Sequence, residues 1–551
     1  MAGEGMSLLI PRGIDDFKKL RDGGYYFVDK SELISDILRD GSEVFLFTRP
    51  RRFGKSLNLS MLDAFFNLEY KGNSWFDGLK INDHPEAEKH RNVYPVIHLD
   101  MKYTSVKNYD LFLSKVRGML SRLFVNFRYL RDSDRVPENF RKLYFDEDPI
   151  FFDEQRVRDS ILTLCIMLYM HHGVKPIVLI DEYDDAINKA YGMESYDEIL
   201  EFLRDFYPTT LKGNDYLSFA VVTGVMQIAK EGIFSGLNNL SVNNIFCTEF
   251  DERYGFIESE IKELCSYYGH PEKFDEAKEW YNGYRFGDAD IYNPWSVLSY
   301  VKFNFKPKTY WGGTSGNEIL DILLKNADVD TFKALTILGN GKTITKILPE
   351  SVVMKDLKTK SNAIFSVLAV AGYLNAVPEG NEYVLSIPNC EMYQVFYDHI
   401  VDYAFGGDDP FKNLLDSLET GDVEKVKHEL DKFYNKSSSL LLVDEGRYHV
   451  ILVAIIFGRI GKYVIEIDRE SGNGRHDISM RARYPRYPNI VVEIKKAEPE
   501  DSDATVQHLA EKALQQIHEK DYCRGMTGKT FLYGIAFRAK TATVLFEETV
   551  L

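Results

Sequence analysis

The chain has 551 residues and a formal net charge of −17 at pH 7. This length is too great for one hydrophobic core, so we expect about three domains. The acidic balance excludes a protein that coats nucleic acid over its whole surface, although a local basic channel can still bind phosphate.

The five cysteines are scattered along the chain, which excludes a paired-cysteine zinc site and is typical of a reducing compartment. No basic-then-apolar signal peptide begins the sequence, and no apolar run is long enough to cross a bilayer. We therefore expect a cytoplasmic protein with no membrane partner.

In the N-terminal third, short apolar runs alternate with segments of helical periodicity. Strands are predicted at residues 44–47, 95–99, 177–180 and 219–223. Helices are predicted at residues 57–66 and 109–129. Alternation of this kind is typical of an α/β fold with a parallel sheet flanked by helices.

The run Arg49-Pro50-Arg51-Arg52-Phe53-Gly54-Lys55-Ser56 directly follows the first predicted strand. A strand, a tight loop, Gly-Lys-Ser and a helix predict a phosphate-binding loop, since a helix N-terminus offers unpaired N–H groups to phosphate oxygens. We expect ATP to be held by Arg52, Phe53, Gly54, Lys55 and Ser56. Lys55 would reach the terminal phosphates, and the Ser56 hydroxyl would bind Mg²⁺.

Arg49 stands where the general loop pattern has glycine, and Pro50 stiffens the loop in its place. Two interpretations of Arg49, Arg51 and Arg52 stay open at this point. They contact nucleotide phosphates, or they pair with acids on a neighbouring element.

The third predicted strand ends in Asp181 and Glu182. A buried parallel strand delivers such carboxylates at its C-terminal edge, so we expect Asp181 to hold Mg²⁺ and Glu182 to orient or deprotonate the attacking water. The alternative is a buried strand that simply ends in exposed acids. Asp184 and Asp185 beyond this pair are expected to form an acidic cap at a helix N-terminus.

From about residue 251 the chain is predicted to be mainly helical, with helices at 258–268 and 271–281. A helix at 364–374 followed by a strand at 383–387 indicates a lid and winged-helix-like connector. Residues 409–434 predict a helical pair broken at Gly421. The predicted domains are residues 1–250, 251–400 and 401–551.

A second chemical pattern lies in the C-terminal part, where the strand at 490–495 carries Glu493 and Lys495. The two-residue period of a strand puts these side chains on one face, and Asp477 comes from the preceding strand across a turn. We expect Asp477, Glu493 and Lys495 to be catalytic. The two acids would hold Mg²⁺ or Mn²⁺, and Lys495 would orient or help deprotonate water.

A predicted helix at 504–520 would pack beside this site with Gln516. The nearby basic residues either contact phosphates or form an ordinary solvated hairpin edge, and both interpretations stay open. They are Arg475, Arg481, Arg483, Arg486, Lys495 and Lys496. Glu466 and Asp468 alternate on another strand, and we assign them no catalytic role.

Nearly the whole chain resembles bacterial and archaeal proteins with an N-terminal AAA-ATPase-like domain and a C-terminal PD-(D/E)XK nuclease-like domain. The segments that carry the resemblance are residues 9–14, 26–34, 48–56, 180–184, 233–240, 280–286 and 292–294, with Asp477 and Glu493-Ile494-Lys495. The resemblance implies a P-loop NTPase-like domain, a helical, winged-helix-like middle region and a C-terminal α/β restriction-endonuclease-like domain.

In the family that the chain resembles, arginine is the usual residue at position 49. Glu470 and Gln516 resemble further family positions, and a helix-like stretch opens at residues 449–450. The segment that ends at Gln227 commonly ends in arginine in similar proteins, which puts a catalytic role at that position in doubt.

Together these patterns predict an ATP-binding and ATP-hydrolysing protein coupled to a metal-dependent phosphodiesterase acting on DNA or RNA. One alternative is a nucleotide-gated nucleic-acid-binding or scaffold protein with a degenerate nuclease site. Another is an ATPase without nuclease action. The expected partners are ATP and a nucleic acid, and homo-oligomer formation is left open.

Overall fold

The structure is a computed structural model that describes residues 8–102, 107–227, 239–312, 320, 329–339, 341–349, 362–405, 410–436, 462–471, 474–538 and 541–551. For residues 466–471 and 474–477 it describes the backbone alone. The chain divides into two compact units, Met1–Tyr310 with Lys346–Tyr383, and Trp311–Thr345 with Val384–Leu551. The three predicted domain boundaries stay a prediction.

Five strands form the sheet of the first unit. They are β1 (Val44–Thr48), β2 (Val96–Asp100), β3 (Ile177–Asp181), β4 (Ala220–Gly224) and β5 (Leu240–Asn243). Their order is β2-β3-β4-β1-β5, and all neighbouring pairs are parallel. The predicted parallel sheet is therefore confirmed. Because parallel strands share a direction, the carboxyl ends of β1, β4 and β3 lie side by side at one edge.

Two helices precede the first strand of this sheet, and seven more lie in the described connections between its strands. They are α1 (Phe17–Asp22), α2 (Glu32–Asp40), α3 (Lys55–Phe66), α4 (Pro85–Glu88), α5 (Tyr109–Asn126), α6 (Glu138–Phe145), α7 (Glu154–His172), α8 (Asp185–Ala190) and α9 (Tyr196–Leu211). Local signals set their ends. The Asp153 side chain caps the first turn of α7, and Gly173 ends that helix at a φ of 73°.

The hydrophobic core of this sheet lies between β1 and the helices packed on it. Phe45 and Phe47 of β1 are fully buried against Leu59 and Leu62 of α3 in one apolar cluster. The helix that follows the loop is thus fixed to the strand that precedes it. This packing holds the loop between two rigid elements.

The middle of the chain contains short helices and strands. They are α10 (Glu258–Tyr267), α11 (Phe274–Tyr281), β6 (Tyr284–Phe286), β7 (Ala289–Ile291), α12 (Pro294–Lys302), α13 (Val329–Gly339), β8 (Ile344–Lys346), α14 (Ala363–Val370), β9 (Asn375–Glu379) and β10 (Glu382–Ser386). A mainly helical region was predicted, and the β6–β7 hairpin departs from that prediction. Each of its strands has three residues, too few for a two-residue period to be recognised.

The second unit ends in a five-stranded mixed sheet. Its strands are β11 (Tyr463–Ser471), β12 (Gly474–Ala482), β13 (Asn489–Ala497), β14 (Lys529–Arg538) and β15 (Thr541–Val550), paired in chain order. The pair β13–β14 is parallel, and the other three pairs are antiparallel. Its helices are α15 (Cys390–Phe405), α16 (Pro410–Thr420), α17 (Val423–Lys436) and α18 (Asp503–Glu519).

The pair α16 and α17 confirms the predicted helical pair, with Gly421 between them at a φ of 76°. The long helix α18 connects β13 to β14, as a parallel strand pair requires. Within the described ranges, none of the helices combines the length and apolarity needed to cross a bilayer.

Candidate functional site

The predicted phosphate loop connects β1 to α3 at the carboxyl edge of the first sheet. Gly54 precedes α3 at a φ of 85°, a backbone conformation that favours glycine, and no side chain caps the helix. A Cβ built at Gly54 would meet nothing within 4 Å, so the space beside it is open. The first N–H groups of α3, including that of Ser56, are therefore suited to anion binding.

Lys55 lies at the start of α3 and is 4% exposed. Its Nζ donates hydrogen bonds to the backbone carbonyls of Arg49 at 3.2 Å and Pro50 at 3.1 Å. The ammonium group thus lies across the inside of the loop. A phosphate at the helix N-terminus would find this charge beside it.

Arg49 is fully buried, and its side chain turns away from the loop. Its Nη1 donates to the carbonyls of Asn243 at 2.7 Å and Thr48 at 3.0 Å. Burial lowers the pKa of this guanidinium to about 10. Hydrogen bonds to backbone carbonyls correspond to neither of the two interpretations of this residue. Arg49 joins the end of β1 to the end of β5.

The loop residues Arg52 and Phe53 are fixed by the segment that follows the first sheet. The Arg52 guanidinium lies 3.6 Å from the ring centroid of Trp295, and the residue has a φ of 69°. The buried ring of Phe53 packs on Tyr284 and Phe286, with ring centroids 5.1 and 5.2 Å away. The Phe53 ring therefore anchors the loop, and its backbone is what remains for cofactor contact.

A further contact reaches the loop from the segment after α14. Gly372 has a φ of 86°, and a Cβ there would lie 2.8 Å from Cβ of Pro50. Only a glycine accommodates this backbone and this approach together. Helix α14 ends at Val370, before the predicted end at residue 374, because the left-handed backbone of Gly372 cannot continue a helix.

Of the predicted acids, Asp181 is the last residue of β3 and Glu182 follows it, and β4 separates β3 from β1. Asp181 is 5% exposed, and its Oδ1 accepts from the Thr223 hydroxyl at 2.5 Å and the Glu182 N–H at 3.0 Å. Glu182 adopts a φ of 51°, which is uncommon for a residue with a side chain and clusters at functional sites. Asp181 is therefore a buried and oriented carboxylate, unlike the exposed acid of the alternative interpretation.

Asp184 has a role that the sequence did not indicate. Its buried carboxylate accepts from the backbone N–H groups of Val225 and Met226, and from the Asn188 side chain. Asp184 and Asp185 begin α8, as the predicted acidic cap requires, but the Asp184 carboxylate makes no capping hydrogen bond to that helix. Burial, with the nearby Glu182 charge, raises the pKa of Asp184 to about 6.

The hydrogen bonds of Asp184 to the segment after β4 also explain why the last residue of β4, Gly224, is a glycine. A Cβ there would lie 2.5 Å from Oδ1 of Asp184 and from the ring of Tyr183. The Tyr183 hydroxyl also donates to the Met226 carbonyl at 2.6 Å. The loop after β3, which carries the acids, is thus bonded directly to the segment after β4.

The second site lies on β13 and α18. Lys495 Nζ donates to Oε1 of Glu493 at 2.8 Å and to Oε1 of Gln516 at 2.7 Å. Gln516 Nε2 in turn donates to Oε1 of Glu493 at 2.5 Å and contacts the Tyr522 hydroxyl at 2.8 Å. The three predicted residues therefore form one hydrogen-bonded cluster. Glu493 is 3% exposed, while Lys495 is half-buried.

A close approach of helix and sheet makes this cluster feasible. Gly534 on β14 pairs with Glu493 in the parallel register. A Cβ at Gly534 would lie 2.4 Å from the Ala510 carbonyl oxygen and 2.7 Å from the Leu514 nitrogen. The missing side chain lets α18 lie directly on the sheet and bring Gln516 within reach of β13.

Asp477 and Glu470 have described backbones, whereas their side chains lie outside the described residues. Ile478 pairs with Val492 in the antiparallel register, so Asp477 and Glu493 are the next positions along each strand. Their backbones thus occupy opposed positions on neighbouring strands. Glu470 pairs with Arg475 on β12. The predicted helix-like stretch at 449–450 and residues 233–238 also lie outside the described residues.

The donor types agree with the expected cofactors. Ser56 and Asp181 offer a hydroxyl and a buried carboxylate near the loop, and Glu493 offers a buried carboxylate on β13. Hard oxygen donors of this kind suit Mg²⁺ or Mn²⁺. Among described side chains, no three His, Cys, Asp or Glu residues cluster as metal ligands.

Comparison with known proteins covers both ends of the chain. Residues 11–234 match the family described as "Predicted AAA-ATPase". Residues 443–547 match the PD-(D/E)XK nuclease superfamily. The chain joins an AAA-ATPase-like domain to a PD-(D/E)XK nuclease-like domain. The predicted resemblance is confirmed for both domains.

The chain is also similar to a protein of Azotobacter chroococcum mcd 1, described as "Uncharacterized protein in vnfD 5'region". The two are 27% identical over 395 residues, which is 70% of this chain and 68% of the relative. The AAA-ATPase-like and nuclease-like domains support ATPase and nuclease-like functions in general terms.

Proposed function

We propose that the chain binds and hydrolyses ATP at the loop between β1 and α3, and cleaves phosphodiester bonds of DNA or RNA at the β13–α18 site. The observation that supports the cleavage proposal most directly is the hydrogen-bonded cluster of Glu493, Lys495 and Gln516. A buried acid beside a lysine, on one face of a strand, suits metal-dependent attack of water on a phosphate.

At the cleavage site, Glu493 and Asp477 would hold Mg²⁺ or Mn²⁺, which lowers the pKa of bound water when present. Lys495 would orient that water or stabilise negative charge on the phosphate. Gln516 positions both Glu493 and Lys495, because it bonds to each.

At the ATP site, the N–H groups of α3 and the Lys55 ammonium would hold the terminal phosphates. Ser56 and Asp181 would hold Mg²⁺. Glu182, which follows Asp181 in a left-handed conformation, would orient the attacking water. Arg52 would contribute at the loop, where its guanidinium already stacks on Trp295.

The first experiment incubates the full chain with labelled double-stranded DNA, single-stranded DNA and RNA, in Mg²⁺ or Mn²⁺, with and without ATP. Lys495→Ala is the test variant. Lys427→Ala is the control, because Lys427 is an exposed lysine of α17, which packs at the β15 side of the same sheet. Cleavage that only Lys495→Ala lacks supports the proposal. No cleavage of any substrate by the wild-type chain contradicts it.

A second candidate function is a nucleotide-gated binding protein without turnover. The observation that favours it is Gln227, which accepts from the Asn244 side chain at 3.3 Å where similar proteins commonly carry arginine. ATP would then raise the thermal unfolding temperature without phosphate release. Steady phosphate release that Lys55→Ala abolishes would exclude this candidate.

An ATPase without nuclease action is the third candidate. In that case Glu493→Ala and Lys495→Ala would change no property of the protein toward nucleic acid, while phosphate release would continue in both variants.

A further inference from the structure

The hairpin formed by β12 and β13 carries an unusual charge pattern. Its basic residues are Arg475, Arg481, Arg483, Arg486, Lys495 and Lys496. Its acids are Asp477 and Glu493, the residues expected to hold the metal. In a chain with a net charge of −17, this segment is locally basic. A local positive potential attracts phosphate even when the whole molecule is acidic.

Arg481 and Arg486 are exposed at the turn end of this hairpin. In the described part of the chain, neither forms an ion pair with an acid. The Arg486 guanidinium lies 5.3 Å from the Tyr484 ring centroid and 5.0 Å from that of Tyr487. The aromatic rings therefore hold Arg486 at the surface while leaving its charge uncompensated.

Arg483 has a different role. Its backbone N–H donates to the Lys462 carbonyl at 2.8 Å, and its Nε donates to the Tyr463 carbonyl at 3.4 Å. These bonds tie the turn to the start of β11. We therefore assign Arg483 to the support of the hairpin.

The register places Arg481 on the same face of the sheet as the cleavage site. Ser479 pairs with Val491, so positions two apart from each, Arg481 on β12 and Glu493 on β13, share that face. The loop after α18 also reaches Arg481, since a Cβ at Gly525 would lie 3.8 Å from its Nη2. Arg481 itself is exposed to solvent.

The spacing along β12 agrees with a strand of nucleic acid. Arg481 lies four residues after Asp477, which is about 13 Å at the rise of a β-strand. A nucleic-acid strand carries a charge at roughly every 3.4 Å of axis, so this distance spans several phosphates. Arg481 would therefore meet a phosphate other than the one being cleaved.

We propose that Arg481 and Arg486 bind the phosphate backbone of the nucleic-acid substrate beside the point of cleavage. This inference rests on the proposed nuclease function. The contact is to phosphates, so it fixes the substrate's position and carries no base preference.

The test measures binding separately from cleavage, in the Lys495→Ala background. Labelled single-stranded DNA, double-stranded DNA and RNA are titrated in Mg²⁺ at several salt concentrations. The test variant adds Arg481→Gln and Arg486→Gln. The matched control adds Lys425→Gln and Lys427→Gln, two exposed residues of α17, which packs at the β15 side of the sheet.

We expect the replacement of Arg481 and Arg486 by glutamine to weaken nucleic-acid binding about tenfold at low salt. The slope of log affinity against log salt should fall by about 1.5, since each phosphate contact contributes about 0.7 to 0.9. The control pair should bind as the parent does. Arg481→Lys with Arg486→Lys should retain most of the affinity, because lysine also binds phosphate as a point charge.

If the variant with Arg481→Gln and Arg486→Gln binds with the affinity and salt slope of its parent, the hairpin proposal is overturned. The result of the cleavage assay would not be affected. Equal loss in the lysine pair would also overturn the hairpin proposal, because a structural role of the arginines would then explain the effect. If the parent binds none of the three nucleic acids, the hairpin proposal fails, and the wild-type cleavage assay decides the nuclease function independently.

Discussion

The two sites proposed for phosphate chemistry are built by different means. The N-terminal site is built mainly from backbone, with the N–H groups of α3 beside a lysine whose ammonium bonds to carbonyls of its own loop. The C-terminal site is built from side chains, with Glu493, Lys495 and Gln516 bonded to one another. The N-terminal site depends on the shape of its loop. The C-terminal site depends on Glu493 and Lys495 sharing one face of β13, and on the position of α18 beside them.

This difference determines where each site is vulnerable. The loop is held by contacts from residues far along the chain, namely Asn243, Tyr284, Trp295 and Gly372. The C-terminal cluster comes from two elements, and its most distant members, Glu493 and Gln516, are 23 residues apart in the chain. Mutations of the distant residues that hold the loop should therefore damage the N-terminal site. The C-terminal site should be damaged mainly by mutations of the cluster residues themselves.

The largest expected effect is that of Lys55→Ala. Removing the ammonium takes away the charge beside the phosphates, so phosphate release should fall about a hundredfold or more. Lys71→Ala, at an exposed lysine beyond the loop helix, is the control and should behave as wild type. Undiminished phosphate release in Lys55→Ala would show that the loop is not the hydrolytic site.

Arg49→Gly tests whether the loop needs its long-range supports. It introduces the residue of the general loop pattern and removes two hydrogen bonds to buried carbonyls. We expect the free energy of unfolding of the first unit to fall by about 2 kcal/mol. Urea unfolding followed by fluorescence measures it. An unchanged free energy of unfolding would mean that Arg49 contributes nothing to stability and that the loop keeps its shape without it.

Gln516→Leu tests the side-chain-built site through its positioning residue. Loss of the bonds to Glu493 and Lys495 should lower the cleavage rate about tenfold while nucleic-acid binding persists. Gln515→Leu is the matched control, since Gln515 is the exposed neighbour that bonds to Glu519. Loss of cleavage in Gln516→Leu, with parental cleavage in Gln515→Leu and parental nucleic-acid binding in both, would support positioning by the Gln516 hydrogen bonds. Equal cleavage in all three proteins would contradict it.

The last prediction concerns the hydrogen bonds of the Asp184 carboxylate to the segment after β4. The pKa of this carboxylate is raised from 3.8 to about 6, so the folded state holds a proton that the unfolded state releases. The resulting stability is present below about pH 4 and is lost as the pH rises through 6. The free energy of unfolding of wild type relative to Asp184→Asn should therefore decrease from pH 4.5 to 6.5. A pH-independent difference would contradict the raised pKa.

Local patterns in the sequence were enough for the elements that carry both sites. The apolar run before residue 48, the Gly-Lys-Ser segment and the alternation around Glu493 each depend on neighbours within a few residues. Gln516 was predicted beside the site because it resembles a family position and lies on the helix predicted at residues 504–520. The structure places it beside Glu493 and Lys495.

The long-range contacts that hold the two sites in place could not be predicted from local patterns. Arg49 bonds to Asn243, which lies 194 residues later, and Asp184 bonds to Val225 and Met226 across two strands. No local pattern distinguishes such a partner from any other residue of its type. The glycines at 224, 372 and 534 are likewise explained only by the neighbour that a Cβ would meet.

Trp295 gives the phosphate loop a built-in optical reporter. It is one of four tryptophans in the chain, and its indole lies against the guanidinium of Arg52 on the loop and that of Arg12 at 4.5 Å. Its Nε1 donates to the Tyr310 carbonyl at 3.1 Å, which fixes the ring beside the loop. Any rearrangement that moves Arg52 therefore changes the emission of this indole. The state of the loop can be followed by intrinsic fluorescence, in solution and without a label.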